Sequence, residues 1–146
     1  MKLYLDTCCL HRPFDDRSQS RIDEEAHAIL AVLLACESGE AIFVGSDPLD
    51  FEVYENPDPY QRKAVQETLA KASIHVIIDH RVAQRAAEFR SLGIKDIDAL
   101  HLAAAEAANA DYFCTCDDRL LRKARRLKDF AVRLVTPLEL ADEVLQ

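Results

Sequence analysis

The stretch Ile94–Leu121 constrains the fold more than any other part of the chain. It predicts a helix followed by a strand of nearly the same length, so that the chain returns to the level at which the helix began. An alanine-rich segment without Gly or Pro predicts a helix from about Asp98 to Asn109. Such a helix rises roughly 18 Å at about 1.5 Å per residue. The apolar run Tyr112–Cys116 predicts a strand that covers a similar length at about 3.3 Å per residue. The strand therefore returns Asp117 to the edge at which Asp98 begins.

The same alternation of strand and helix patterns continues along the whole chain. Helical patterns separate five apolar segments that are expected to be strands, namely Lys2–Asp6, Ala41–Ser46, Ile74–Asp79, Tyr112–Cys116 and Val132–Val135. Strands that alternate with helices form βαβ units and a mainly parallel sheet. The segments lack polar alternation, as expected when helices cover both faces of the sheet. The sequence therefore predicts a three-layer α/β sandwich.

Local signals set the expected boundaries near the N-terminus. Ser20, with Asp23 three residues later, resembles a capping box and predicts a helix that begins at Ser20. Gly39 is expected to end that helix. The segment Thr7–Gln19 is expected to be a loop, because Arg12, Pro13 and three acidic or basic neighbours interrupt any apolar period.

Length and composition are those of one globular domain over residues 1–146, with 49% hydrophobic and 30% charged residues. No apolar run approaches the roughly 18 residues of a membrane helix, so no membrane partner is expected. The N-terminus lacks the pattern of a signal peptide, so we expect a cytoplasmic protein with five reduced cysteines. The net charge of −8 argues against broad nucleic-acid binding by simple attraction.

Four acidic residues fall where the carboxyl ends of parallel strands meet, which is where sites form in such sheets. They are Asp6, Glu52, Asp98 and Asp117. Each of these residues alone is adequately explained as a helix cap or a solvated side chain. Together they would repel one another unless a cation neutralised them. An all-oxygen cluster suits Mg²⁺ or Mn²⁺, which support phosphodiester hydrolysis, and the sequence leaves open whether one or two ions bind.

One concentrated basic surface begins beside Asp117. The cations recur at helical spacing and are Arg119, Arg122, Lys123 and Arg126. They are interpreted either as a solvated helix face or as a guide for RNA, with neither favoured. Arg12 could contact a phosphate, although an ion pair with Asp15 or Asp16 is the favoured interpretation. His101, one helical turn after Asp98, is interpreted as a packed histidine.

Four cysteines are expected near the carboxyl ends of neighbouring strands. They form an adjacent pair, Cys8 and Cys9, and a C-x-C pair, Cys114 and Cys116. Neither spacing matches a zinc knuckle, which uses C-x₂₋₄-C. A zinc site is conceivable, but buried or partly buried thiols are the favoured interpretation.

The chain resembles PIN-domain ribonucleases of the kind found as toxins in toxin–antitoxin pairs. The matching segments, in order, are LDTCCL, Ser46–Glu52 followed by Asn56-Pro57, DALHLAAA and TCD. The resemblance implies a five-stranded parallel sheet in order 3-2-1-4-5 and cleavage of RNA that depends on Mg²⁺ or Mn²⁺. It implies Asp6, Glu52, Asp98 and Asp117 as catalytic and metal-binding residues, supported by the hydroxyl groups of Thr115 and Thr7. An antitoxin protein and a homodimer are the protein partners that it implies.

Other interpretations remain open at the level of sequence. Glu55 lies one turn from Glu52 and competes with it, whereas Asp98 is preferred to Asp96, which occupies an expected cap position. A phosphoacceptor receiver domain would use Asp79 and a sheet order of 2-1-3-4-5. A PIN-like interaction module without catalytic activity would keep only the fold.

Overall fold

A computed structural model of residues 1–146 contains a single five-stranded parallel sheet in the order β3-β2-β1-β4-β5. The strands are β1 (Lys2–Leu5), β2 (Ile42–Ser46), β3 (Ile74–Val76), β4 (Tyr112–Cys114) and β5 (Arg133–Val135). This confirms the predicted α/β fold and the order 3-2-1-4-5. The receiver-domain alternative is wrong, because it requires β1 to lie between β2 and β3.

Eight α-helices flank the sheet. They are α1 (Thr7–His11), α2 (Ser20–Glu37), α3 (Asp47–Tyr54), α4 (Pro59–Leu69), α5 (His80–Ser91), α6 (Asp96–Ala107), α7 (Asp118–Ala124) and α8 (Pro137–Val144). A 3₁₀ turn, Arg12–Phe14, follows α1. Helix α2 packs against α8, and α5 packs against α6. No helix has both the length and the apolar character needed to cross a membrane.

The central strand β1 fixes the geometry of the edge where the candidate site lies. Its residues Leu3, Tyr4 and Leu5 are fully buried and form part of one continuous hydrophobic core. Leu5 is in register with Cys114 of β4. The backbone N–H of Asp6 then donates to the carbonyl of Cys114 at 2.9 Å. The residues that follow β1 and β4 are therefore neighbours although more than 100 positions separate them.

The predicted loop Thr7–Gln19 was wrong in part, because α1 and the 3₁₀ turn occupy Thr7–Phe14. The carboxylate of Asp6 accepts a hydrogen bond from the Thr7 backbone N–H at 2.8 Å and caps α1. Asp is a favoured N-cap, and burial of Cys9 and Leu10 adds to the stability of this short helix. The capping box at Ser20 was also wrong, since Gln19 occupies the N-cap position without a side-chain hydrogen bond.

The start of α6 lies two residues earlier than predicted. Lys95 is its N-cap, and Asp96 is the first helical residue rather than the cap. Asp96 and Asp98 both lie in the first turn, where their negative charges interact favourably with the positive end of the helix dipole. The expected end of α2 near Gly39 is confirmed, because Gly39 adopts a φ of +85°, a conformation that glycine tolerates without steric cost.

Candidate active site

Asp6 is the most buried acidic residue of the candidate site, with its side chain only 8% exposed. Its Oδ1 accepts the Thr7 N–H, and its Oδ2 accepts a hydrogen bond from Thr115 Oγ1 at 2.9 Å. Burial raises the pKa of Asp6 to about 7, although His101 and the Thr115 hydrogen bond oppose the change. Near neutral pH, therefore, the protein alone does not fully stabilise this carboxylate as an anion.

Glu52 extends from α3 toward the same place. Its Oε1 accepts a hydrogen bond from Thr7 Oγ1 at 2.6 Å and lies 2.5 Å from His101 Nε2. Burial opposes ionisation of Glu52, but the contacts with His101 and Thr7 outweigh it and lower the pKa. Both contacts involve Oε1, which leaves Oε2 free to face a ligand.

A buried hydrogen-bonded chain orients His101. The Tyr4 hydroxyl lies 2.7 Å from Ser46 Oγ and 2.6 Å from His101 Nδ1. If the imidazole is neutral, Tyr4 donates to Nδ1; if it is protonated, Nδ1 donates to Tyr4, which then donates to Ser46. In both arrangements Nε2 carries a proton and donates it to Glu52. His101 is completely buried, as expected, but it also contacts the site directly, 3.8 Å from Asp6 Oδ1.

The pKa of Asp98 depends on the charges of the other candidate acidic residues. Burial raises its pKa to about 6, and the negative charges of Asp6, Asp117 and Glu52 add to the effect while His101 opposes it. The negative charges of all three other carboxylates therefore disfavour ionisation of Asp98. A bound cation would oppose this effect.

Asp117 has two roles in the local structure. It is the N-cap of α7, and its Oδ1 accepts hydrogen bonds from the backbone N–H groups of Arg119 and Leu120 at 2.9 and 3.2 Å. Its own N–H donates to Thr115 Oγ1 at 3.0 Å, so the same hydroxyl group supports Asp6 and Asp117. Asp98 and Asp117 line one shallow pocket.

The competing acidic residues are directed elsewhere. Glu55 is the exposed C-cap of α3, and Asp96 is 92% exposed and faces Arg90 at 3.6 Å. Asp118 forms two hydrogen bonds with Arg21, at 2.8 and 2.9 Å. Glu52 and Asp98 are thus the acidic residues of their respective pairs that reach the edge of the sheet.

The donor set fits a hard divalent cation. Ligand atoms of Asp6, Glu52 and His101 lie within 4.8 Å of one another, whereas Asp98 and Asp117 are not part of this close group. Oxygen ligands select Mg²⁺ or Mn²⁺ over softer ions. The Nε2 atom of His101 carries a proton and is therefore a hydrogen-bond donor here rather than a ligand.

The sequence profile of one family, the PIN domain, matches residues 3–126 and so includes all four acidic residues. The chain belongs to the PIN domain family. No curated protein sequence gives a significant match. Two solved structures share the fold of this PIN domain at low sequence identity. FitAcB from Neisseria gonorrhoeae is 16% identical, with a TM-score of 0.58 over 93% of this chain and 98% of the other.

The second structure is VapBC2 from Rickettsia felis, bound to a DNA fragment from its promoter. It is 14% identical, again with a TM-score of 0.58 over 93% of this chain and 98% of the other. At this level of identity the two neighbours support the PIN fold alone, while the family match rests on the sequence.

The basic surface of this PIN domain, defined as Arg119, Arg122, Lys123 and Arg126, forms the wall of a shallow open depression. Arg119 and Lys123 also line the pocket that contains Asp98 and Asp117. The basic surface is therefore continuous with the carboxylates. Arg12 is separate from it, because its guanidinium pairs with Asp15 at 2.9 Å and with Glu25 at 3.3 Å. The favoured ion pair with Asp15 is confirmed.

Four cysteine thiols lie next to the carboxylates, namely those of Cys8, Cys9, Cys114 and Cys116. Cys9 Sγ is 3.7 Å from both Cys114 Sγ and Cys116 Sγ. Cys8 Sγ accepts the Cys116 N–H at 3.3 Å and lies 3.5 Å from Asp6 Oδ2. All are free thiols. The sequence predicted these four cysteines near the carboxyl ends of neighbouring strands, and the pairing of β1 with β4 brings them together.

Proposed function

We propose that this PIN domain is a metal-dependent ribonuclease that hydrolyses phosphodiester bonds in RNA. The proposal rests on one observation above the others, namely that the ligand atoms of Asp6 and Glu52 meet within 4.8 Å beside His101 in a chain whose residues 3–126 match the PIN domain. Burial raises the pKa values of Asp6 and Asp98 to about 7 and about 6, and a bound cation would favour their ionised forms.

Asp6, Asp98 and Asp117 would hold Mg²⁺ or Mn²⁺, and Glu52 would contribute its free Oε2. A bound ion of this kind polarises a phosphoryl oxygen and lowers the pKa of a coordinated water. In the reaction a bond forms between the water oxygen and phosphorus, and the bond from phosphorus to the 3′ oxygen breaks. The attacking water loses a proton and the departing 3′ oxygen takes one up, so that the products are a 5′-phosphate and a 3′-hydroxyl.

The remaining residues position the ligands and the substrate. Thr7 and His101 hold Glu52 through Oε1, and Thr115 holds Asp6 through Oδ2. The basic surface adjoins the pocket of Asp98 and Asp117, so that its cations could bind phosphates on either side of the cleaved bond. We further propose that the protein acts as the toxin of a toxin–antitoxin pair, as its resemblance to PIN toxins implies.

Cleavage of a structured RNA with and without divalent ions tests this proposal. Activity should require Mg²⁺ or Mn²⁺, stop with a chelator and return when the ion is restored. Asp98→Asn should reduce cleavage to background, whereas the matched control Asp96→Asn should keep most of the activity, because Asp96 is almost fully exposed. Sequencing of the RNA ends should identify 5′-phosphates.

Two results would contradict the proposal. Full activity in Asp98→Asn would place the active site elsewhere. An unmodified protein that neither cuts RNA nor gains stability from Mn²⁺ would instead support the interaction module without catalytic activity.

A further inference from the structure

The thiol cluster, defined as Cys8, Cys9 and Cys116, lies beside the carboxylates but has no part in the function proposed above. Its three sulfur atoms lie within 4.8 Å of one another. Cys8 and Cys9 belong to α1, and Cys116 follows β4. Two segments that are distant in sequence thus supply one compact set of soft ligands.

The sulfur spacing matches that of a thiolate metal site. Two sulfurs bound to one tetrahedral zinc at about 2.3 Å lie about 3.8 Å apart. Cys9 Sγ is 3.7 Å from Cys116 Sγ, which is close to this spacing. A disulfide would instead require two of these sulfurs to approach to about 2.05 Å. An ion therefore needs less rearrangement of the chain than oxidation does.

Access also favours a cation. Cys9 and Cys116 are buried, while Cys8 is partly exposed and offers a route of entry from solvent.

We propose that the thiol cluster binds a thiophilic divalent cation of the Zn²⁺ class, at a site that adjoins the carboxylate site where Cys8 meets Asp6. The absence of a zinc-knuckle spacing does not argue against it, since that spacing describes ligands from one short loop. The bound ion would link the start of α1, which follows Asp6, to the segment Thr115–Asp117. It would therefore stabilise the two strand ends that carry Asp6 and Asp117.

The test uses Cd²⁺ as a spectroscopic probe of the metal-stripped, reduced protein, with excess Mg²⁺ present to compete at oxygen ligands. The expected result is a thiolate-to-cadmium absorption band in the ultraviolet that saturates at one equivalent, together with a rise in Tm. Cys8→Ser and Cys116→Ser should lose the band. Cys36→Ser is the matched control, because Cys36 lies outside the cluster, and it should keep the band.

A second measurement needs no variant. Alkylation of the unmodified protein, read by mass spectrometry, should be slowed at Cys8 when Cd²⁺ is bound and unchanged at Cys36. The proposal is overturned if the parent shows no thiolate band at one equivalent, if folded Cys8→Ser and Cys116→Ser keep it, or if Cd²⁺ leaves Cys8 alkylation unchanged. None of these readouts depends on RNA cleavage.

Discussion

Replacement of Asp6 with Asn should stabilise the metal-free protein. The pKa of Asp6 is about 7 in the folded protein and about 3.9 in an unfolded chain. A pKa difference of about 3 is worth roughly 4 kcal/mol when the group is ionised, and burial of Asp6 leaves little solvent screening to reduce it. Asn can still cap α1 through its Oδ1, but its amide nitrogen cannot accept the hydrogen bond from Thr115, so we expect a net gain of about 1–3 kcal/mol.

The stability difference between Asp6→Asn and its parent should depend on pH. Because the folded pKa lies above the unfolded one, Asp6 contributes its full stability below about pH 4 and loses it as the pH rises through about 7. The advantage of Asp6→Asn should therefore be absent near pH 4 and greatest near pH 8. At roughly 3 °C per kcal/mol, the Tm should rise by several degrees.

The assay is thermal unfolding in a chelator at a series of pH values, followed by addition of Mn²⁺. The parent should gain about 2.7 kcal/mol at a Mn²⁺ concentration 100 times its Kd, and Asp6→Asn should gain much less. Asp96→Asn is the matched control and should follow the parent in both respects. An Asp6→Asn protein that melts below its parent at pH 8 without metal would refute the reasoning, since Asp6 would then be a stabilising cap and nothing more.

Two further predictions concern RNA binding and the buried hydrogen-bonded chain. Replacing Arg122, Lys123 and Arg126 together with Gln should weaken RNA binding in filter-binding assays at several salt concentrations. The slope of log affinity against log salt should fall by about 2, because about three phosphate contacts to a single strand are lost. His101→Phe should lower the free energy of unfolding by about 1–3 kcal/mol in urea and reduce cleavage, because the Tyr4 hydroxyl and Glu52 each lose a partner.

Each of these predictions has a matched control. Replacing three exposed cations outside the basic surface with Gln, namely Lys63, Arg81 and Lys128, removes the same charge. An equal loss of RNA binding in that variant would leave the basic surface as an ordinary solvated helix face. His101→Gln can donate an N–H toward Glu52, so it should recover part of the cleavage lost in His101→Phe. Equal cleavage by the parent and His101→Phe would remove any positioning role from His101.

The resemblance to PIN domains predicted the sheet order, while the strand and helix lengths predicted that the residues following β4 return to the edge where α6 begins. Neither predicted α1. That helix has five residues and no apolar period, and it depends on a cap supplied by Asp6. The average helix propensity of several neighbouring residues does not reveal a cap that depends on one side chain.

The surroundings of the acidic residues were less accessible to sequence reasoning. His101 was expected only to pack, because its partners Tyr4 and Glu52 lie 97 and 49 residues away and the alanine-rich helix around it carries no sign of them. The choice of Glu52 over Glu55 likewise depends on Thr7, which fixes one carboxylate oxygen from a different element. Such contacts exist only once β1 and β4 are paired.

The connection between α5 and α6 divides the proposed ligand set into two equal parts. Asp6 and Glu52 precede Gly93, and Asp98 and Asp117 follow it, while the β1–β4 ladder holds the two parts together. Leu92 and Gly93 are exposed, so a break in the chain there would disturb little packing. Two separately produced fragments would each carry half of the carboxylates, and their reassociation would rebuild the whole set. Fused to two proteins that bind each other, the fragments would form a split reporter in which RNA cleavage signals the encounter.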